Sequence, residues 1–246
     1  MGREKKRSMK TRGHGKARPR AVVLVSGGMD SCVTASIAAQ THDVYALHAS
    51  YGQRTEKMEK KAFRKVVRRI GAVATLEVNL RVLAEIGASS LLDRSMAVPT
   101  GKPKRGEIPS TYVPFRNGVL LAVAVAWAES VGAEKIFIGA VKVDTPEGYP
   151  DTSRKFFDAF EKTAMIGTKP RTKIFIVTPL VNMTKTEVVN KGIKIKAPLE
   201  LTWSCYQGEN VACGVCLSCK GRIKAFREAG AEDAVKYKTG KGKKAS

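Results

Sequence analysis

AVVLVSGGMDS, residues 21–31, packs a strand, a glycine turn and a helix start into eleven positions. Residues 21–25 form a continuous run dominated by β-branched side chains, the pattern of a strand buried on both faces of a parallel sheet. Gly27 and Gly28 then let the backbone turn sharply and approach a ligand with no Cβ in the way. The amides at the start of the following helix face the same space, with the positive end of the helix dipole behind them. Ser26 and Ser31 add hydroxyls, and Asp30 either caps the helix or holds a metal beside the phosphates. The common Gly-Lys-Ser/Thr phosphate loop is absent. Val25, Ser26, Gly27, Gly28, Met29, Asp30 and Ser31 are therefore the candidate nucleotide-phosphate site.

Outward from this unit, strand and helix signals alternate. A helix is expected from residue 31 to about 40, a strand over 44–49, and a charged amphipathic helix over 56–70 that ends near Gly71. A strand at 75–80 precedes a long excursion, 85–111, rich in Gly, Pro and Ser. Residues 115–131 read as an almost wholly apolar helix packed inside the body. A strand at 135–140, a loop through Asp151, a helix around 156–164 and a strand at 174–178 follow. Thr184 and Glu187 have capping-box spacing and open a helix over 185–190. After Pro198 comes a cysteine-bearing knot and a helix from about 217 to 229 closed by Gly230. This alternation predicts an α/β fold with a doubly wound parallel sheet, whose ligands lie beyond the carboxyl ends of the strands. The expected division is a basic tail (1–20), an α/β domain (21–198), a cysteine knot with its helix (199–232) and a second basic tail (233–246).

The net charge of +22 is concentrated at the ends. Arg3, Lys5, Lys6, Arg7, Lys10, Arg12, Lys16, Arg18 and Arg20 face only Glu4 within residues 1–20, and Lys236, Lys238, Lys241, Lys243 and Lys244 crowd the other end. Neither end has apolar periodicity, so both are expected to be tails that either contact nucleic acid non-specifically or are simply solvated. The basic start is not followed by an apolar stretch, so no secretory signal is expected. Residues 118–128 form the longest apolar run, too short to span a bilayer. A cytoplasmic enzyme without a membrane partner is the expectation, with the oligomeric state open between a monomer and a homodimer.

Cys205, Cys213, Cys216 and Cys219 are spaced C-x7-C-x2-C-x2-C. Thiolates in such turns converge on one ion; zinc, an iron–sulfur cluster and a pair of disulfides are the three readings of the spacing. In the zinc reading four thiolates close the coordination shell, so the role is structural. Cys32 has no cysteine near it in sequence and reads as a small packed residue.

Residues 26–31 match the Ser-Gly-Gly-x-Asp-Ser pattern of the PP-loop ATP-pyrophosphatases, whose fold is that of the adenine nucleotide alpha hydrolases. Further segments narrow the resemblance. Tyr51, Gln53 and Arg54 stand in a Y-x-Q-R pattern after the second strand. Residues 109–117 read PSTYVPFRN, residues 148–151 read GYPD, and the cysteines close the series. In this order, over roughly residues 21–230, the chain resembles the 7-cyano-7-deazaguanine synthase family. The resemblance implies ATP, Mg²⁺ and structural Zn²⁺, with 7-carboxy-7-deazaguanine and ammonia as substrates, and an adenylated carboxylate and an amide as intermediates. Carried over by position, Tyr51, Gln53, Arg54, Arg116, Asn117, Asp144, Tyr149 and Asp151 become the substrate-side candidates. Asp30 and Arg116 become catalytic candidates, Arg116 on the activated phosphate, while Asp144 or Asp151 meets the guanine-like ring edge. Phe115 stands where the family often has Gly or Ala, the 142–148 loop is one residue longer, and Thr152-Ser153 follows GYPD in place of Cys-Arg. The rival readings are a PP-loop enzyme that thiolates or aminates tRNA and a non-catalytic zinc-bearing nucleic-acid binder.

Overall fold

The computed structural model describes residues 17–101, 103, 104, 106–141 and 148–238. Asp144, the loop before Gly148, and all but Ala17, Arg18, Pro19 and Arg20 of the N-terminal tail lie outside the described residues, as do the last eight residues of the C-terminal tail.

Five strands form one parallel sheet: β1 (Arg20–Leu24), β2 (Asp43–Ser50), β3 (Ala74–Asn79), β4 (Lys135–Phe137) and β5 (Phe175–Val177). Their order is β3-β2-β1-β4-β5, with Val22 opposite Tyr45 on one side and Ile136 on the other. The order reverses between β1 and β4, which places the topological switch point, and the crevice such a switch opens, beyond the ends of these two strands. Helices cover both faces: α1 (Met29–Thr41), α2 (Glu56–Ile70), α6 (Lys185–Lys194) and α7 (Leu217–Glu228) on one side, α4 (Arg116–Val131) and α5 (Arg154–Gly167) on the other. The first core includes Val23, Cys32, Phe63, Val188 and Phe226, and the second Val22, Leu121, Ile136 and Phe157.

The strands depart from expectation at their ends. β4 stops at Phe137, although Ile138 still donates to the Val177 carbonyl at 3.1 Å, because the backbone at Gly139 leaves the ladder to pack on α1. The expected strand over 174–178 shortens to β5 at both ends. A short helix, α3 (Val82–Ile86), opens the excursion, which is otherwise irregular. Helix α6 runs to Lys194, four residues past its expected end, with both halves of the Thr184–Glu187 capping box formed.

Helix α4 is a correction. It lies on one face of the sheet through Leu121, Ala124 and Ala128, while Ala122 and Ala126 are exposed and Leu120, Val123 and Trp127 are half-buried. Uniform apolarity suggested enclosure on all sides, whereas the helix buries one stripe and leaves the rest exposed or half-buried. No helix among the described residues is long and apolar enough to cross a membrane.

Past α6, a single 3-10 turn (Leu199–Leu201) leads into the knot. Arg222 of α7 anchors this region from within, pairing with Asp233 at 2.8 and 2.9 Å and donating to Thr202 Oγ1 at 2.6 Å and the Leu199 carbonyl at 3.1 Å. Tyr237 donates to the same carboxylate at 2.6 Å. Both ionic partners are almost fully buried, so removing one leaves an uncompensated charge. Arg222→Met is expected to destabilise the chain by about 3 kcal/mol, read as a lower midpoint in urea unfolding followed by tryptophan fluorescence.

Candidate nucleotide and acyl-activation site

The turn after β1 is shaped by what cannot fit there. Gly27 has φ +91°, and a Cβ on it would lie 2.4 Å from the Glu59 carbonyl oxygen and 2.9 Å from the Phe63 nitrogen of α2. Its own carbonyl accepts from the Trp203 amide at 2.9 Å, which ties the loop to the knot. Ser26 Oγ accepts from the Gly28 amide at 3.2 Å and lies 3.1 Å from Ser31 Oγ, which donates to the Gly28 carbonyl at 2.9 Å. Gly28 is the N-cap of α1, and no side chain caps the helix. The first-turn amides of Met29, Asp30 and Ser31 therefore have no helical acceptor, the arrangement that receives phosphate oxygens. Gly139 belongs to the same construction, since a Cβ there would stand 3.0 Å from the Ser31 nitrogen.

Asp30 does not cap the helix. Its Oδ2 pairs with Lys185 Nζ from the first position of α6. Its Oδ1 is buried without a hydrogen-bond partner, an open acceptor that fits a divalent cation beside phosphates. In sequence Lys185 was read only as the residue that opens a helix; it lies 155 positions from Asp30, and no local pattern connects the two.

On the substrate side, Arg116 Nη1 donates to Tyr51 Oη at 3.1 Å and the guanidinium lies over the Tyr51 ring at 5.7 Å, while Nε is buried with no partner. No carboxylate among the described residues forms an ion pair with Arg116. Asp151 lies close by, but its Oδ2 accepts the Asn117 amide at 2.8 Å, and its carbonyl accepts from Asn117 Nδ2 at 3.1 Å. Asp151 thus fixes the start of α4, and burial pushes its carboxyl pKa up. Tyr149 Oη lies 2.7 Å from Thr111 Oγ1, and its ring stacks on Tyr112. Half-buried Tyr206 has its phenol pKa raised by burial and lies within electrostatic reach of Tyr149, Arg116, Cys216 and Asp30.

Gln53 and Arg54 are committed elsewhere. Gln53 Oε1 accepts the Tyr51 amide at 2.8 Å and Nε2 donates to Glu59 at 3.0 Å. Arg54 donates to the carbonyls of Ser90 at 2.8 Å and Asp93 at 2.7 Å, and to that of Met96. These two side chains brace Tyr51 and the excursion.

The cysteines converge. The Sγ atoms of Cys205, Cys213, Cys216 and Cys219 all lie within 4.8 Å of one another, with Cys213 and Cys219 3.9 Å apart. The edge of a thiolate tetrahedron with metal–sulfur bonds of about 2.3 Å is about 3.8 Å, so the set fits one metal ion. None of the four is disulfide-bonded. Amides of Gly208, Cys213 and Gln207 point at Cys205 Sγ, and those of Cys216 and Val215 at Cys213 Sγ. Cys32 is buried, and desolvation, followed by the Glu200 charge, pushes its thiol up to about 12.

The sequence profile described as "Queuosine biosynthesis protein QueC" matches residues 20–230. The chain belongs to the QueC family. The match begins at the first residue of β1 and ends just beyond α7, so the QueC portion contains the turn after β1 and the four cysteines, and residues 1–19 and 231–246 fall outside it. The 7-cyano-7-deazaguanine synthase of Chlorobium phaeobacteroides (strain DSM 266 / SMG 266 / 2430) is 51% identical over 219 residues, covering 89% of this chain and 96% of the relative. That of Chloroherpeton thalassium is 52% identical over 220 residues, covering 89% and 97%. The enzyme of the same name from Sulfurovum sp. (strain NBC37-1) is 46% identical, covering 89% and 98%.

The crowding at Gly27 yields a direct test. Gly27→Ala places a methyl against the backbone of α2 in a left-handed conformation, so the turn must move. About 2 kcal/mol of stability should be lost, together with nucleotide binding measured by calorimetry.

Proposed function

We propose that this chain is an ATP-dependent synthase that converts 7-carboxy-7-deazaguanine and ammonia into 7-cyano-7-deazaguanine, the free nitrile of deazapurine nucleoside biosynthesis. The observation that carries the reading is an uncapped amide nest at the switch point of the sheet whose Asp30 pairs with Lys185, with Arg116, held by Tyr51, sharing Tyr206 with Asp30 as an electrostatic neighbour. An acid is a poor electrophile because its leaving group is oxide. Transfer of AMP to it supplies a leaving group, and phosphate anchoring and charge stabilisation then matter more than a side-chain nucleophile.

In this proposal the amides of Met29, Asp30 and Ser31 hold the β,γ-pyrophosphate, with Val25 to Gly28 shaping the turn. Lys185 balances charge on the phosphates. Arg116, oriented by Tyr51 and Asn117, meets the acid and the phosphate it acquires. Mg²⁺ would be held at Asp30 Oδ1, where it neutralises phosphate charge. The substrate carboxylate oxygen attacks the α-phosphorus and pyrophosphate departs; ammonia then expels AMP, giving the amide. A second ATP activates the amide oxygen, and loss of AMP and protons leaves the nitrile. Tyr149 and Tyr206 are proposed to wall the heterocycle, with Asp144 or Asp151 reading its edge. Gln53 and Arg54 support the pocket indirectly. The metal of the knot is proposed to be zinc with a structural role, since thiolates fill every position.

Thiolation of tRNA would call for a reactive cysteine beside the phosphate turn, and Cys32 is sealed in the core.

Incubation with ATP, ammonia and 7-carboxy-7-deazaguanine is expected to give the nitrile by mass spectrometry, with two AMP released per product. ATP left intact, or AMP formed with tRNA alone, would remove the proposal. Asp30→Asn should lower AMP release about 100-fold or more with the circular dichroism spectrum unchanged. Cys216→Ser should lose zinc by elemental analysis and melt at lower temperature, because metal binding and folding are coupled in such sites.

A further inference from the structure

Helix α2 carries a band of positive charge that the chemistry above does not use. Lys57, Lys61, Arg64, Lys65 and Arg68 are exposed on its outer side and, with half-buried Lys60, line a groove of about 380 Å³. The inner side packs through Ala62, Phe63, Val66 and Val67. Glu77 of β3 answers only two of these cations, Lys60 at 3.0 Å and Arg64 at 2.8 Å. Lys57, Lys61, Lys65 and Arg68 form no ion pair among the described residues.

This arrangement works against the helix that bears it. Lys57 and Lys61, Lys61 and Lys65, Lys60 and Arg64, Arg64 and Arg68, and Lys65 and Arg69 are each four residues apart, and like charges at that spacing destabilise a helix. Lys57 also stands in the first turn, where the helix dipole disfavours a cation. Amphipathic packing needs only polar residues on that side, and a polyanion laid along the band would relieve the repulsion.

The described parts of the two ends lie at the start of β2 and, at the C-terminal side, against α2. At the N-terminal side, the Pro19 carbonyl accepts from the Asp43 amide at 2.9 Å, and Val73, just past the end of α2, donates to Val44 at 2.8 Å, so both segments reach the start of β2. At the other side, Tyr237 and Val235 share a hydrophobic cluster with Ala62 and Met58 of α2. Beyond these points the sequence carries Arg3, Lys5, Lys6, Arg7, Lys10, Arg12 and Lys16 at one end and Lys241, Lys243 and Lys244 at the other.

We propose that the outer face of α2 is a binding surface for single-stranded nucleic acid, gripped through its phosphates without reading of bases. From Lys57 to Arg68 the helix rises about 16 Å at 1.5 Å per residue, a linear track suited to a chain of charges. The band holds no aromatic ring on which a base could stack, so affinity is independent of sequence. It also holds no large apolar side chain, which a membrane-surface helix inserts and a protein interface centres on.

The test is fluorescence anisotropy of a labelled poly-uridylate 20-mer titrated with the full chain across a salt series, beside the Lys57→Gln/Lys61→Gln/Lys65→Gln variant. The wild type should bind with log affinity falling linearly in log salt, and the variant's slope should be shallower by about 2, at about 0.7 per lost phosphate contact. The variant should melt at the same or a higher temperature and release AMP at the wild-type rate, since none of the three lysines lies in the active site. Absence of binding to the 20-mer would overturn the proposal, as would a variant slope equal to the wild type's. Tighter capture by polyglutamate or by phosphatidylserine vesicles would also overturn it.

Discussion

The missing Cβ at Gly27 is the constraint from which the site is built. Because that position is bare, the backbone of α2 comes within van der Waals distance of the turn after β1, and the Trp203 amide reaches the Gly27 carbonyl. Three separate stretches, the turn, α2 and the start of the knot, are thereby locked together at the carboxyl end of β1. Gly139 does the same from the β4 side, bringing a fourth stretch onto the first turn of α1. The phosphate nest is made of backbone held rigid by backbone, and rigid donors need no reorganisation when an anion arrives. The Ser26–Ser31 hydroxyl contact and the Ser31 bond to the Gly28 carbonyl complete the turn internally.

Around that nest the charges are arranged for a guest. Arg116 is held by a phenol and an amide oxygen, neutral partners that fix its direction without cancelling its charge. Lys185 has a carboxylate partner, but that carboxylate keeps a second oxygen unpaired in a buried place. A polar atom sealed off in this way costs stability unless something binds it. The cost is tolerable if the site takes the proposed ligand, which carries phosphates and a divalent ion. The same reasoning separates Asp151 from Asp30: Asp151 is buried yet engaged by the Asn117 amide, and its first effect is to orient the residues next to it.

What could be read from the sequence was whatever is encoded locally. The order of strands and helices, the extent of α2 and its left-handed cap at Gly71, the capping box of α6, the glycine turn after β1 and the convergence of the cysteines all follow from spacings of a few residues. What escaped are pairings across distance and cases where one residue type serves two purposes. Lys185 meets Asp30 only because α1 and α6 pack side by side on the sheet. Gln53 and Arg54 look like ligand-binding side chains by type, but their donors satisfy backbone carbonyls and a carboxylate in the scaffold. Gly139 read as part of a strand, and only the neighbouring helix start gives its lack of a side chain a reason. Helix α4 read as enclosed because hydrophobicity alone does not say how many neighbours a helix has.

The cysteine knot gains its meaning from where it is attached. Between Trp203, whose amide holds Gly27, and Cys205, the first sulfur of the cluster, there is a single residue, and Trp203 Nε1 also donates to the Cys205 carbonyl at 3.1 Å. Tyr206, next in the chain, packs against both the cysteine cluster and the cluster around Tyr51. A metal gripping the four sulfurs would therefore fix a segment that touches the turn after β1 on one side and the cluster around Tyr51 on the other. The buried Arg222–Asp233 pair clamps the same segment from beneath through Thr202. Saturated by thiolates, such a metal has no position left for chemistry. Its contribution to catalysis, in the proposed reaction, would be positional, shaping the pocket through the backbone it holds still.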